Sequence, residues 1–244
     1  MTELEGRAGP VGSGRGLAWG LQEELGRAVV MGKFSGRPFP TEAQVSELYG
    51  VGRSSTREAL KMLASKGLLG ARARSGTFVR GEDEWNLLDV DVLRWLLEGR
   101  RSLALLRQIS ELRFAVEPQA AALAAGSADH AQRSAVCAGL LRLRAAAAGL
   151  DDGVDAAIAF HVATLRASNN PFIARFSTVI GTALRISAPF TDRRIDPSMV
   201  IEDHVAVADA IGRQDVQGAQ AAMALLVGRV VTVMSLPEER DEAA

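Results

Sequence analysis

The stretch VGRSSTREALKML, Val51 to Leu63, puts two arginines and three hydroxyls into the opening turns of what reads as one helix. A helix already presents positive charge at its N-terminus, so Arg53 and Arg57 gain nothing from the macrodipole there. Such crowding makes sense where a polyanion docks. Ala59, Leu60 and Leu63 share one side of this helix, while Arg53, Arg57 and Lys61 recur every four residues on roughly the opposite side. The plain alternative is a solvated charged face, and the choice between the two depends on the flanks.

Upstream, Leu17, Leu21, Leu25, Ala28 and Val29 recur at helical spacing, with Gly32 as a stop. Thr41 and Gln44 have capping-box spacing at the head of a second short helix that Gly50 ends. The third helix is expected to start between Gly52 and Ser55. Downstream, LLGARARSGTFVRG alternates with Arg72 and Arg74 on one face, offers Ser75-Gly76 as a turn, and returns through TFV. Three helices and a hairpin predict a winged helix-turn-helix, in which the third helix enters the major groove of DNA. Arg53 and Arg57 then reach phosphates or guanine edges, the hydroxyls of Ser54 and Ser55 bond either, and the tip at Gly76 approaches the minor groove or backbone.

Composition supports this division. The chain has 244 residues and a net charge of only −1, yet residues 1–80 hold 12 Lys and Arg against 7 Asp and Glu. The rest is acidic, so an anionic partner is expected for the first part alone. A single cysteine, Cys137, excludes an internal disulfide framework and suits a reducing cytoplasm. No apolar run approaches membrane-spanning length on this reading, and no membrane partner is expected. The glycine-rich opening predicts a flexible tail over 1–15.

FPTEAQVSELYGVGRSSTREALKMLASKGLL and the wing SGTFV resemble the DNA-binding signature of the GntR family of bacterial transcription regulators. By position, the resemblance implies DNA contacts at Arg53, Ser54, Ser55, Arg57 and Gly76. Gly52 stands where the family usually caps with serine, and Ala43 where some members carry arginine. ISELRFAVEPQAAALAA, FHVATLRASNNPFI and EDHVAVADAIGRQDVQGAQAAM resemble the all-helical effector-binding (FCD) domain of the FadR subgroup. WNLLDVDVLRWLLE looks most like the branch that senses sugar acids such as galactonate.

From Trp85 onward helix formers dominate, and breaks at GSADH, GLDDG, SNNP and RRIDPS predict six or seven helices packed as an antiparallel bundle. The fold class is therefore mainly α. The expected divisions are a DNA-binding domain over 16–80, a linker over 81–84, and a helical effector-binding and dimerisation domain over 85–244. Arg113 borders an apolar stripe, with Glu117 one turn later able to pair with it. His161 and His204 each lie on an apolar face of a different helix. Each histidine alone reads as a satisfied core residue; with the arginine they suggest a polar cavity suited to a small carboxylate. Arg185 is a further candidate for ligand binding, and His130, in a loop-like stretch, has no role.

The resemblance implies a divalent metal held by one aspartate and three histidines. His161 and His204 fill two of those positions, but Ala157 and Leu226 occupy the others, so a tightly held metal is not expected and no cofactor is required. The reading that follows is a homodimeric, cytoplasmic regulator, expected to repress, that binds a double-stranded operator and senses a small organic acid such as a sugar acid. One rival is a dimeric DNA-binding regulator without an effector. The other is a helical enzyme using His161 and His204, which no nucleophile–base spacing or phosphate loop supports.

Overall fold

Apolar side chains in the first hundred residues meet in one core, and those after residue 101 in a large core with a smaller cluster around Ala120, Leu165 and Ile180, so the chain forms two compact units, 1–100 and 101–244. The computed structural model describes residues 14–72, 76–99, 102–191 and 194–235. Arg74, Ser75 and residues 1–13 of the expected tail lie outside the described residues.

The first unit opens with α1 (Gly14–Val30), which begins within the stretch expected to be tail. In α2 (Glu42–Tyr49) the capping box is complete: the Gln44 amide donates to Thr41 Oγ1 and the Thr41 amide to Gln44 Oε1 at 2.8 Å. Gly50, at φ 62°, closes that helix in the left-handed region. Two residues later α3 (Arg53–Ser65) begins, capped by the Gly52 backbone with no side-chain bond. The wing pairs β1 (Leu69–Arg72) antiparallel with β2 (Gly76–Val79), Leu69 opposite Val79 and Arg72 opposite Gly76. Gly70 faces Phe78, whose ring would lie 2.5 Å from an added Cβ and would have to shift to admit one.

The segment after the wing corrects the expected linker at 81–84. Trp85 and Trp95 are buried with Leu21, Leu25, Leu63 and Leu68 in the first core. The Trp85 indole donates to the Arg80 carbonyl at 3.1 Å, and the Asn86 amide to the Lys66 carbonyl at 3.0 Å. Asp89 caps α4 (Val90–Leu97) and, with Asp91, grips the Lys66 ammonium at 2.8–2.9 Å. Gly26 on α1 leaves room for the Trp95 ring, which would lie 2.3 Å from an added Cβ. Glu23 receives Arg94 at 2.7 Å and the Trp95 indole at 2.9 Å. The hydrogen bond from Arg94 outweighs partial burial and holds the Glu23 carboxyl down to about 2. Residues 85–97 therefore belong physically with the first unit, although their composition reads as a continuation of the helical bundle.

The second unit comprises α5 (Ser102–Ser127), α6 (His130–Ala147), α7 (Gly153–Ala167), α8 (Pro171–Arg175), α9 (Ser177–Thr191), α10 (Pro197–Gly212) and α11 (Val216–Ser235). Small residues set its spacing. Ala121, Ala124, Ala125, Ala156, Ala210 and Ala219 are buried in one core, which lets helix axes approach closely. Gly139 on α6 lies over the backbone of Phe160 on α7, where an added Cβ would come within 2.7 Å of Cα. This contact brings the backbone beside His161 inward. His130, read as loop, is instead the first residue of α6, behind a complete Asp129–Gln132 capping box. α11 has the length and mean hydropathy (1.4) of a spanning segment, which the sequence reading did not register. In the fold it packs along α5 and α10 and carries an ion-paired arginine, as a bundle helix does.

Candidate functional site

On α3 the apolar side, Ala59 and Leu63, is fully buried, so the opposite side is held outward. Arg53, Ser54 and Arg57 are exposed and Ser55 is half-buried. The first-turn amides of α3 have no side-chain cap, which suits them to a phosphate. Thr56, the third hydroxyl of the opening stretch, is instead buried, bonded to Ser46 of α2 at 2.9 Å and so pinning the turn between the helices. Gly76 is exposed with φ 78° and open space around its Cα. Arg72 stacks on the Phe78 ring at 4.3 Å, which rigidifies the root of the wing.

Arg57 has a partner that sequence spacing did not suggest. Its Nε and Nη2 donate to Glu42 Oε1 at 3.2 and 3.0 Å. The pair is exposed, so solvent screens it heavily and it yields readily to a phosphate. It ties the guanidinium to the first residue of α2.

In the second unit α5, α6, α7, α9, α10 and α11 frame a cavity of about 390 Å³. Arg113, His161 and His204 all line it. Arg185 does not: it is exposed and paired with Asp155 at 2.6 Å, a correction to its expected place. The second cation at the cavity is Arg229 of α11, whose Nε donates to Asp203 at 2.6 Å. Sequence reading missed both partners, although Arg229 lies among apolar residues, Leu226, Val227, Val230 and Val231, of one helix.

Arg113, Glu117, His161 and His204 are each no more than 3 % exposed. Arg113 Nε donates to Glu117 Oε1 at 2.6 Å, as their spacing suggested, and Glu117 Oε2 accepts from His161 Nδ1 across to α7. Burial pushes the Glu117 carboxyl up, but Arg113 and His161 outweigh it and bring the group down to about 2. His204 Nδ1 lies 2.6 Å from the Val200 carbonyl. Burial, reinforced by the positive field of His161, lowers the His204 imidazole to about 3, so it is neutral near pH 7. Two atoms in this cluster are buried with no protein partner, Arg113 Nη2 and His204 Nε2. A buried unpaired polar atom costs about 1–3 kcal/mol, more when charged, which marks this cluster as built for something else to complete.

The donor set does not fit a resident metal. Ala157 and Leu226 line the cavity at the two positions where the resemblance puts an aspartate and a histidine. Among the described residues no group of three or more His, Cys, Asp or Glu is placed to hold an ion. Asp203, a carboxylate on the cavity lining, is engaged by Arg229, and Glu117 is engaged by Arg113 and His161.

Residues 21–79 match the family described as bacterial regulatory proteins, gntR family, and residues 108–229 match the FCD domain. The chain belongs to the GntR family. This GntR-family protein is 31% identical over 206 residues to the galactonate operon transcriptional repressor of Escherichia coli (strain K12), covering 83% of the chain and 90% of that relative. It is also 31% identical over 212 residues to the putative L-lactate dehydrogenase operon regulatory protein of the same organism, covering 84% and 81%. Among solved structures, Streptococcus agalactiae GntR has a TM-score of 0.52 at 22% identity over 88% of this chain and 99% of that one. Lar, which controls the expression of the Listeria monocytogenes agr system, has a TM-score of 0.60 at 14% identity over 89% and 96%. These two likenesses speak to fold alone. As a GntR-family member with an FCD domain the protein is a DNA-binding transcription regulator, not an enzyme, with the winged helix-turn-helix and helical bundle that its sequence predicts.

Proposed function

We propose that this regulator is a cytoplasmic homodimer that represses transcription from a near-palindromic operator and is released when a small carboxylate occupies the bundle cavity. DNA contacts are assigned to Arg53, Ser54, Ser55, Arg57 and Gly76, because the first four lie in the opening turns of α3 and Gly76 at the wing, all exposed but the half-buried Ser55, while Thr56, Ala59 and Leu63 hold α3 to the core. A two-fold protein favours two half-sites about one helical turn apart. Repression follows the relative whose described role is to repress the galactonate operon. The observation that carries the ligand half of the reading is the buried, unpartnered Nη2 of Arg113, a residue that lines a cavity of about 390 Å³. A guanidinium edge in a low-dielectric wall is the group that recognises a carboxylate.

Thermal melting with a set of small carboxylates, sugar acids among them, tests this. A ligand bound only by the folded state raises the melting temperature, by an amount set by its concentration over its Kd. The same acid should weaken operator binding in fluorescence anisotropy. A regulator without an effector is the second reading, favoured by Ala157 and Leu226, which leave the cavity wall hydrocarbon where metal ligands would stand. No carboxylate shifting the melt, with operator binding intact, would favour that second reading.

A further inference from the structure

The two unpartnered atoms of the cavity are not alike, and their difference narrows the ligand. Arg113 Nη2 is a donor. His204 Nδ1 faces the Val200 carbonyl at 2.6 Å, and a carbonyl oxygen only accepts, so Nδ1 carries the proton. In the neutral imidazole Nε2 is then a bare lone pair, buried without a partner on a residue that lines the cavity. A simple carboxylate satisfies Arg113 and leaves Nε2 unmet. A ligand that completes both atoms brings an acceptor for the guanidinium and an O–H or N–H for the imidazole. An ammonium would supply the hydrogen, but it would stand in the positive field of Arg113, so a hydroxyl is the better match.

The rest of the wall decides what lies beyond those two groups. Leu184, Ala188, Ile201, Leu226 and Val230 face the cavity with hydrocarbon. The hydroxyls of Ser187 and Thr191 donate to carbonyls of their own helix, and Asp203 and Arg229 engage each other. A sugar acid carries a hydroxyl on every carbon past the carboxylate, and each would be set against apolar surface at a cost. A branched aliphatic tail would be set against its own kind.

We propose that the cavity takes a hydroxy acid with a hydrocarbon tail, its carboxylate on Arg113 Nη2 and its hydroxyl donating to His204 Nε2. This rests on the reading of the cavity as a carboxylate site and specifies the class within it. The two parts fail separately.

The test is isothermal titration of the full chain with four acids: 2-hydroxy-4-methylpentanoate, 4-methylpentanoate, leucine and galactonate. The hydroxy acid should bind about tenfold more tightly than its deoxy counterpart, the ratio that one buried hydrogen bond sustains. Leucine and galactonate should bind more weakly than the hydroxy acid. In His204→Leu the two methylpentanoates should converge to within about twofold, because the acceptor is gone while Arg113 remains. Equal binding of those two acids by the unaltered chain overturns the hydroxyl assignment and leaves the carboxylate site standing. Galactonate binding more tightly than the hydroxy acid overturns the hydrocarbon tail. Binding of none of the four overturns the carboxylate reading itself. The comparison on the unaltered chain decides the matter even should His204→Leu not fold.

Discussion

Glu117 shows how much one side chain can carry when it is shared. It neutralises Arg113 from its own helix and orients His161 from another, with all three side chains buried. Removing one member of such a buried set leaves the others uncompensated, at a cost of about 3–5 kcal/mol. Glu117→Ala should therefore lower the denaturant midpoint by far more than Arg185→Ala, whose exposed pair with Asp155 contributes little. His204 makes a pH prediction. Its imidazole titrates at about 3 in the fold against 6.5 ordinarily, so the unfolded chain takes up a proton that the folded chain refuses in that window. Stability then falls as pH drops from about 6.5 toward 3. His204→Gln should flatten that part of the decline, read as melting temperature between pH 7 and pH 5. At the other site, Arg57→Ala should weaken operator binding by about 1–3 kcal/mol if the arginine reads a guanine edge. If it contacts only phosphate, the salt slope should fall by about one instead. The outward face of α3 and the inward placement of Arg113, His161 and His204 were readable from sequence, because apolar periodicity tells which face of a helix is buried. Their partners were not. Glu42 is 15 residues from Arg57, Glu117 is 44 from His161, and Asp203 is 26 from Arg229, separations on which helical periodicity is silent.

Among the elements, α2 and α6 announce themselves through capping boxes, Thr41 with Gln44 and Asp129 with Gln132. Such signals are local, since a cap joins residues three apart. The second was present in the sequence and overlooked because GSADH resembles a loop in composition. Thr41→Ala should cost about 1 kcal/mol in chemical denaturation, and Gly52→Ser at the head of α3 should return a few tenths. Two glycines illustrate the opposite case, where sequence favours one outcome and packing another. Gly139→Ala gains about 1 kcal/mol of helix propensity. The new methyl meets the Phe160 backbone at 2.7 Å, an overpacking cost of about 1–3 kcal/mol that no side-chain rotation relieves. We expect a net loss of stability together with weaker ligand binding, since α7 carries His161. At Gly26 the obstacle is the Trp95 ring, 2.3 Å from the added carbon, so Gly26→Ala should loosen α4 and expose Trp95 fluorescence to quencher.

For the whole chain, the proposed function requires that coupling between DNA and ligand be reciprocal. Whatever factor the acid takes from operator affinity, the operator takes from acid affinity, because both describe one cycle. Titrating the acid with and without saturating operator DNA measures that factor directly. Sequence alone determined the mainly helical class, the winged helix-turn-helix, the outward cationic face of α3 and three of the four side chains nominated for the bundle cavity. Each follows from periodicity, caps and turn residues, which act over a few positions. Only the tertiary structure decided that residues 85–97 join the first core, that Arg229 rather than Arg185 stands at the cavity, and that Arg113 Nη2 and His204 Nε2 are left without protein partners. Whether a buried atom is satisfied depends on every group that surrounds it, and those groups come from helices far apart in the chain.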